Sequence, residues 1–429
     1  MPDNFELPPM RTVRQRYDLP AEVDVSVEIE REFNRIKGEL DLVRDSSVAI
    51  GVGSRGIANL AKIVREVVKK LKDAGVHPFV TPAMGSHGGA IAEGQIKVLK
   101  TRGITEDSVG APIEATMEVI NLGVIDGIPL FIDRLAYEAD GIVLVNRIKP
   151  HTEFSGPTES GLIKMLGIGL GNHTGAEHYH RAAITRGFYE IIHAAGRTLL
   201  NRVNFLFGVA LVENQEHQTA ILRLLRDDEI ESVEQELLKK ARAYMPKIPV
   251  KEIDLLIIDE MGKDISGAGI DPKIVGRAIC SWADTEPYPR ISRIFVRDLT
   301  AATEGHASGL GMVDFTTERL VKKINMQATA INALTSSCPE EAKIPMNFKT
   351  DREAIAAALM TIRPYTPEDL RIVRIKNTLE LRHLVVSEGC LAELENNPNL
   401  KIDAGSVALE FDASGNLISW LHVFGNDVT

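Results

Sequence analysis

Short apolar runs alternate with amphipathic stretches along the chain. Ser47–Val52 (SVAIGV) is almost wholly apolar, the pattern of a strand buried on both faces. Behind it Leu60, Ile63, Val64, Val67, Val68 and Leu71 recur at helical spacing, with Gly75 as a stop. Strands are predicted at Val76–Thr81, Gly141–Val145 and Phe205–Val212, and helices at Val27–Leu42 and Ile91–Thr101. This alternation predicts a parallel sheet covered by helices on both faces. Tyr244–Lys251 (YMPKIPVK), with two prolines and little periodicity, reads as a linker. Beyond it the pattern restarts with strands Asp254–Asp259 and Arg293–Val296. A long helix from about Thr316 to Ser336 follows, then a hairpin of Val407–Phe411 and Ile418–Phe424 around Asp412–Asn416. The expected fold is α/β: two α/β domains with mainly parallel sheets, residues 1–246 and 252–429, and an active-site cleft between them.

Composition narrows the function. The net charge of −11 and the 5% aromatic content argue against a nucleic-acid partner. No apolar run approaches the roughly 20 residues that cross a bilayer. Met1–Asp18 has no signal-peptide pattern, so the expected location is cytoplasmic and away from membranes. Cys280, Cys338 and Cys390 are scattered, with neither zinc spacing nor a disulfide framework.

The chemistry concentrates in Asn146–His180, NRIKPHTEFSGPTESGLIKMLGIGLGNHTGAEHYH. Lys164 sits among Leu162, Ile163, Met165 and Leu166. An ammonium in that company is costly unless it is paired, pKa-shifted or used covalently. His87, in MGSHGG, and His151, after Lys149-Pro150, both follow strands and so emerge on one sheet edge, where α/β proteins bind ligands. Two histidines on one rim suit an enzyme that inverts a stereocentre, one serving each face. His173, His178 and His180 resemble a metal cluster, but Thr174-x-x-Glu177 reads as a capping box that starts a helix near Gly175. On that helix His178 and His180 face apart, by roughly 200° at 3.6 residues per turn. One of them can serve as a lone metal ligand completed by something other than protein.

Gly51-x-Gly53-x-x-Gly56 has the context of a dinucleotide turn, but the next strand ends in Thr81-Pro82 rather than an acidic residue, and Arg55 would crowd a pyrophosphate. Arg55 fits a phosphate or carboxylate better. In the second half, the loop Gly262–Gly269 carries Lys263, an anion clamp by the same logic, with His306 and Trp282 as further candidates for the cleft.

Together these residues resemble the nickel-pincer lactate racemase family of 2-hydroxyacid racemases and epimerases. The likeness rests on Gly53-Ser-Arg55-Gly, on Met84-Gly-Ser-His87-Gly, and on Lys149-Pro-His151 through Lys164 to His180, with its 16-residue lysine-to-histidine interval. It implies nickel held by pyridinium-3,5-bisthiocarboxylic acid mononucleotide, attached to Lys164 through a thioamide, with His180 as the fourth nickel ligand. It further implies His87 and His151 as the acid/base pair, Gly161 and Arg55 as cofactor contacts, and Arg55 with Lys263 at the substrate carboxylate. Its partners would be a small 2-hydroxy acid and the cofactor-synthesis enzymes; self-association into a homo-oligomer is left open. The chain departs from the lactate enzymes in the 13-residue interval from His151 to Lys164, which takes in Glu159 and Ser160, so a larger or differently charged 2-hydroxy acid competes with lactate. Two rivals stand beside this reading: an NAD-dependent 2-hydroxyacid oxidoreductase, and a non-catalytic binding protein for an anionic metabolite.

Overall fold

The structure is a computed structural model that describes residues 5–280, 283, 286 and 288–424. The chain divides into two compact units. One holds residues 19–245 with 335–337; the other holds the chain up to Asp18, residues 246–334, and the chain from Cys338 on. Both are α/β. Fifteen strands are described: β1 (Met10–Gln15), β2 (Ser47–Val52), β3 (His77–Pro82), β4 (Val119–Ile125), β5 (Ile128–Asp133), β6 (Gly141–Arg147), β7 (Phe205–Glu213), β8 (Thr219–Leu225), β9 (Glu252–Met261), β10 (Arg290–Leu299), β11 (Phe315–Thr317), β12 (Met346–Phe348), β13 (Ile372–Ile375), β14 (His383–Ser387) and β15 (Leu400–Val407).

The first unit is built on a five-stranded sheet, ordered β3-β2-β6-β7-β8, parallel except for β8. Val48, Ile50 and Val52 of β2, with Val143 and Val145 of β6, bury against Ile63, Val64, Val67 and Leu71 of helix Leu60–Asp73. That helix has no side-chain cap at Asn59. At about 1.5–3 kcal/mol per buried aliphatic side chain, packing outweighs the loss of about 1 kcal/mol from a missing cap. Because β2, β3 and β6 are parallel, the turn after Val52, the loop after Pro82 and the loop after Arg147 leave the same sheet edge. That edge carries Arg55, His87 and His151.

The second unit contains an eight-stranded sheet, ordered β12-β11-β10-β9-β13-β14-β1-β15, parallel from β12 to β13 and antiparallel beyond. The chain's first strand is therefore paired between β14 and β15, far along the sequence. Leu255, Ile257, Phe295, Ile372 and Met10 form its core with the Asp351–Leu359 helix and Trp420.

Three expectations need correction here. The long helix is two, Glu318–Lys323 and Met326–Thr335, because Ile324 turns extended and Asn325 caps the second one by accepting Ala328 N–H. The Phe411–Leu417 bridge closes the expected turn, but Trp420–Phe424 is helical, burying Trp420 in the core instead of extending a strand. Cys280 and Cys338 form a disulfide with Cα atoms 5.7 Å apart, and Cys390 stays a buried thiol. The sequence separation of 58 between the paired cysteines leaves no local spacing to read. Among the described residues no helix is long and apolar enough to cross a membrane.

Candidate active site

Lys164 lies in a short helical turn, Leu162–Lys164, that winds on into a π-helical turn, Met165–Gly169, and then into helix Asn172–Arg186. Leu170 and Gly171 keep right-handed helical angles, and Asn172, at φ 51°, interrupts the winding before the last helix runs on. The helix begins three residues before the expected position, so Thr174 lies inside it and the expected capping box does not form. The first turn of the Lys164 segment is capped from elsewhere. Glu234, fully buried on helix Asp227–Tyr244, accepts the backbone N–H groups of Leu162 and Ile163. Its approach needs Gly161 to lack a side chain, since a Cβ there would strike the Glu234 carboxylate. The Gly161 carbonyl in turn accepts from Asn146 Nδ2 at 2.8 Å. Burial without a cation raises the Glu234 carboxyl to about 7.

The loop between His151 and Lys164 is closed at its base by a pair of backbone bonds linking Lys149 and Ser160, each 3.2 Å. Glu159 fills its interior. Its carboxylate accepts His151 N–H at 2.6 Å and Gly156 N–H at 3.0 Å, and pairs with Arg242. The loop thereby holds His151 against Lys164: Lys164 Nζ and His151 Nε2 are hydrogen-bond partners. The His151 ring packs on Phe154 at 4.3 Å, Phe154 stacks on Phe188 at 5.8 Å, and His180 meets the edge of Phe188 at 5.3 Å. His151, Lys164 and His180 so share one largely apolar cluster.

Its electrostatics follow from that enclosure. Desolvation pulls Lys164 down from 10.5 to about 8, Glu153 opposing and Arg55 and Lys149 assisting. Desolvation, then the charge of Lys164, holds His151 well below its ordinary value, with His180, Lys149 and Arg55 adding to it. His180 falls to about 4, again chiefly by burial. Its Nδ1 donates to the Ala176 carbonyl at 2.5 Å, which leaves Nε2 as the lone-pair nitrogen. That second-layer bond is the one metal-ligating histidines make. His178 is different: it is exposed, donates to Thr174 carbonyl at 2.8 Å and lies against Phe131. Of the two, His180 is the one in the Lys164 cluster. His173 is half-buried, and its Nδ1 has no hydrogen-bond partner.

On the neighbouring loop, His87 Nδ1 donates to Met84 carbonyl at 2.6 Å and lies 3.3 Å from Ser54 Oγ, so Nε2 is its basic nitrogen. Gly85 N–H donates to Gly169 carbonyl at 3.0 Å, tying this loop to the Lys164 segment. Arg55 follows Ser54 in a turn braced by Arg102, which donates to Ser54 carbonyl at 3.1 Å, and by Glu213, which accepts Ala58 N–H at 2.7 Å. Arg55, His87, His151, Lys164 and His180 thus all belong to the first unit. Lys263 belongs to the second, where its Nζ donates to Asn332 Oδ1 at 3.1 Å and its N–H to Thr303 Oγ1 at 3.1 Å. His306 Nδ1 accepts Ser308 N–H at 3.4 Å in the same unit, and Trp282 lies outside the described residues. The groups that sequence reasoning missed are Glu153, Glu234, Arg242 and Phe188. The only local hints were an acidic residue at a core-facing helix position for Glu234 and a carboxylate two residues from His151 for Glu153.

The fold and site define a two-unit α/β protein with a lysine–histidine cluster at the C-terminal edge of a parallel sheet. No protein-family model and no curated protein matches the chain. Among solved structures, the lactate racemase apoprotein from Thermoanaerobacterium thermosaccharolyticum is similar, at 13% identity and a TM-score of 0.43, over 78% of this chain and 93% of that one.

Proposed function

We propose that the chain is an isomerase that inverts C2 of a 2-hydroxy acid, using a nickel-pincer mononucleotide tethered to Lys164. The observation that carries the proposal is the grouping of Lys164, His151 and His180 in one largely apolar cluster, with His87 on the adjoining loop. The donor set fits the group. Lys164 has a lowered pKa, as an amine that is to be acylated requires. His180 is neutral at physiological pH, with its Nδ1 proton committed to a carbonyl, as a metal-binding imidazole requires. Lys164 would carry the tether, His180 Nε2 would ligate nickel, and Arg55 would meet a phosphate or the substrate carboxylate. Bound there, the group would supply a reversible hydride acceptor.

The chain's own residues do the rest. His87, its Nδ1 anchored to Met84, offers Nε2 to the substrate hydroxyl and takes or returns that proton. His151 serves the opposite face. Phe154 and Phe188 exclude water beside the reacting carbon. The size of the 151–164 loop favours a 2-hydroxy acid other than lactate as readily as lactate itself. The test is the mass of Lys164 peptides from protein made together with the cofactor-synthesis enzymes. A stoichiometric adduct on Lys164 and bound nickel are expected; an unmodified lysine without nickel would contradict the proposal.

A further inference from the structure

Lys164 and His151 occupy one another. His151 Nδ1 accepts the backbone N–H of Glu153 at 3.2 Å, so in the neutral ring the proton sits on Nε2. It is Nε2 that meets Lys164 Nζ. When the amine is neutral, its lone pair accepts from Nε2–H. When it is protonated, an ammonium faces the same nitrogen and opposes an imidazolium. In either state Nε2 is unavailable to a third group.

We infer that this pair is an interlock: His151 is withheld from acid–base work until Lys164 has been converted to an amide or thioamide. The inference rests on the tethering proposed above. In that step Nζ forms a bond to the acyl or thioacyl carbon of an activated donor, the bond from that carbon to its leaving group X breaks, and one amine hydrogen departs as H–X. The product nitrogen is uncharged and has no basic lone pair. Nε2 then loses both its partner and the cation nearest it. The charged and titratable groups that still face the ring are Arg55 from the turn after β2, Lys149 after β6, and His180 from the Asn172–Arg186 helix. His151 would therefore take no part in proton transfer until the chain is loaded, while His87 stays available.

The test needs no cofactor. Diethyl pyrocarbonate carbethoxylates neutral imidazole at its open ring nitrogen; in His151 Nδ1 is covered by Glu153 N–H, so reaction goes through Nε2 in the minor tautomer, which requires Nε2 to be clear of Lys164. The adduct is read by mass on the peptide carrying His151, with the peptide carrying His87 as reference. Wild type, Lys164→Met, and wild type acetylated at Lys164 with acetic anhydride are compared at pH 7. Lys164→Met should fold, since it places an apolar chain among Leu162, Ile163 and Met165. We expect His151 to react about tenfold faster in both altered proteins, the factor that one lost hydrogen bond represents, with His87 unchanged. Equal His151 rates in all three proteins would overturn the interlock, and would do so even if the loaded enzyme racemises. A rate difference in a chain that never racemises would uphold the interlock and overturn the function proposed above.

Discussion

The carboxylate of Glu159 accepts the backbone N–H of His151 at 2.6 Å. This one bond fixes the imidazole's backbone from a residue eight positions later, and Arg242 holds the carboxylate in turn. Glu159→Ala leaves the buried N–H of His151 and the half-buried N–H of Gly156 unpaired, and the expected loss is about 1–4 kcal/mol of stability from unsatisfied donors. Glu159→Gln keeps an acceptor and should lose less than half of that. Urea denaturation of both variants, beside turnover by the loaded protein, separates folding from positioning. Activity should fall more than stability explains if the loop aims His151.

Lys164 gives the protein a specific pH dependence. Its pKa is 10.5 in an unfolded chain and about 8 here. Between those values the unfolded state binds more protons, so stability rises with pH from about 8 to about 10.5 on account of this group, and below 8 the full cost of the buried charge is present. Lys164→Met removes that cost. At about 1.4 kcal/mol per pKa unit the variant should gain up to about 3 kcal/mol at pH 7, less whatever partial exposure returns. The gap should close as pH rises through the window, in denaturant titrations of both proteins from pH 6 to 10.5. A gap that does not change with pH would mean that Lys164 is not desolvated.

Much of this arrangement was legible before the fold was known. The apolar runs at β2, β6, β7 and β9 marked buried parallel strands because such strands show no alternation. Parallel order alone then put Arg55, His87 and His151 on one edge. Lys164 stood out because nothing around it was polar. What stayed hidden was long-range. The Met10–Gln15 strand completes a sheet whose other strands begin after residue 250, and no local pattern encodes that. Glu234 and Arg242 reach the site from a helix that begins at Asp227, well beyond Lys164 in the sequence. The capping box at Thr174 was misread because the helix starts at Asn172, whose left-handed backbone no local pattern announces.

Nickel retention should discriminate between His178 and His180. His180→Ala removes the half-buried candidate ligand nitrogen and should lower nickel affinity in the loaded protein by more than the roughly 10–100-fold that losing only a ligand's outer hydrogen-bond partner costs. His178→Ala removes an exposed ring and should leave nickel unchanged. Elemental analysis after dialysis against a weak chelator reads both. The reverse order would reassign the ligand.

The second unit offers a stability test remote from the chemistry. Asp259 pairs with the fully buried Arg374 through both carboxylate oxygens, at 2.8 and 2.7 Å, and with Arg297 at 2.8 Å. Arg297 continues to Asp351 at 2.7 Å. Asp259→Ala would strand a buried guanidinium, a change that costs about 3–5 kcal/mol. The urea midpoint should fall accordingly. Carbethoxylation of His151 at low denaturant should stay at the parent rate, because none of these residues belongs to the first unit.

The most direct test follows the hydrogen at C2. A single enantiomer of a 2-hydroxy acid, deuterated at C2, is given to the loaded protein in ordinary water, and the inverted product is analysed for deuterium. Retention of the label through inversion is predicted, since the hydrogen would leave and return as hydride while the histidines handle only the hydroxyl proton. Loss of deuterium to solvent at the rate of inversion would mean proton abstraction from carbon, and would contradict the proposed role of Lys164 and everything built on it.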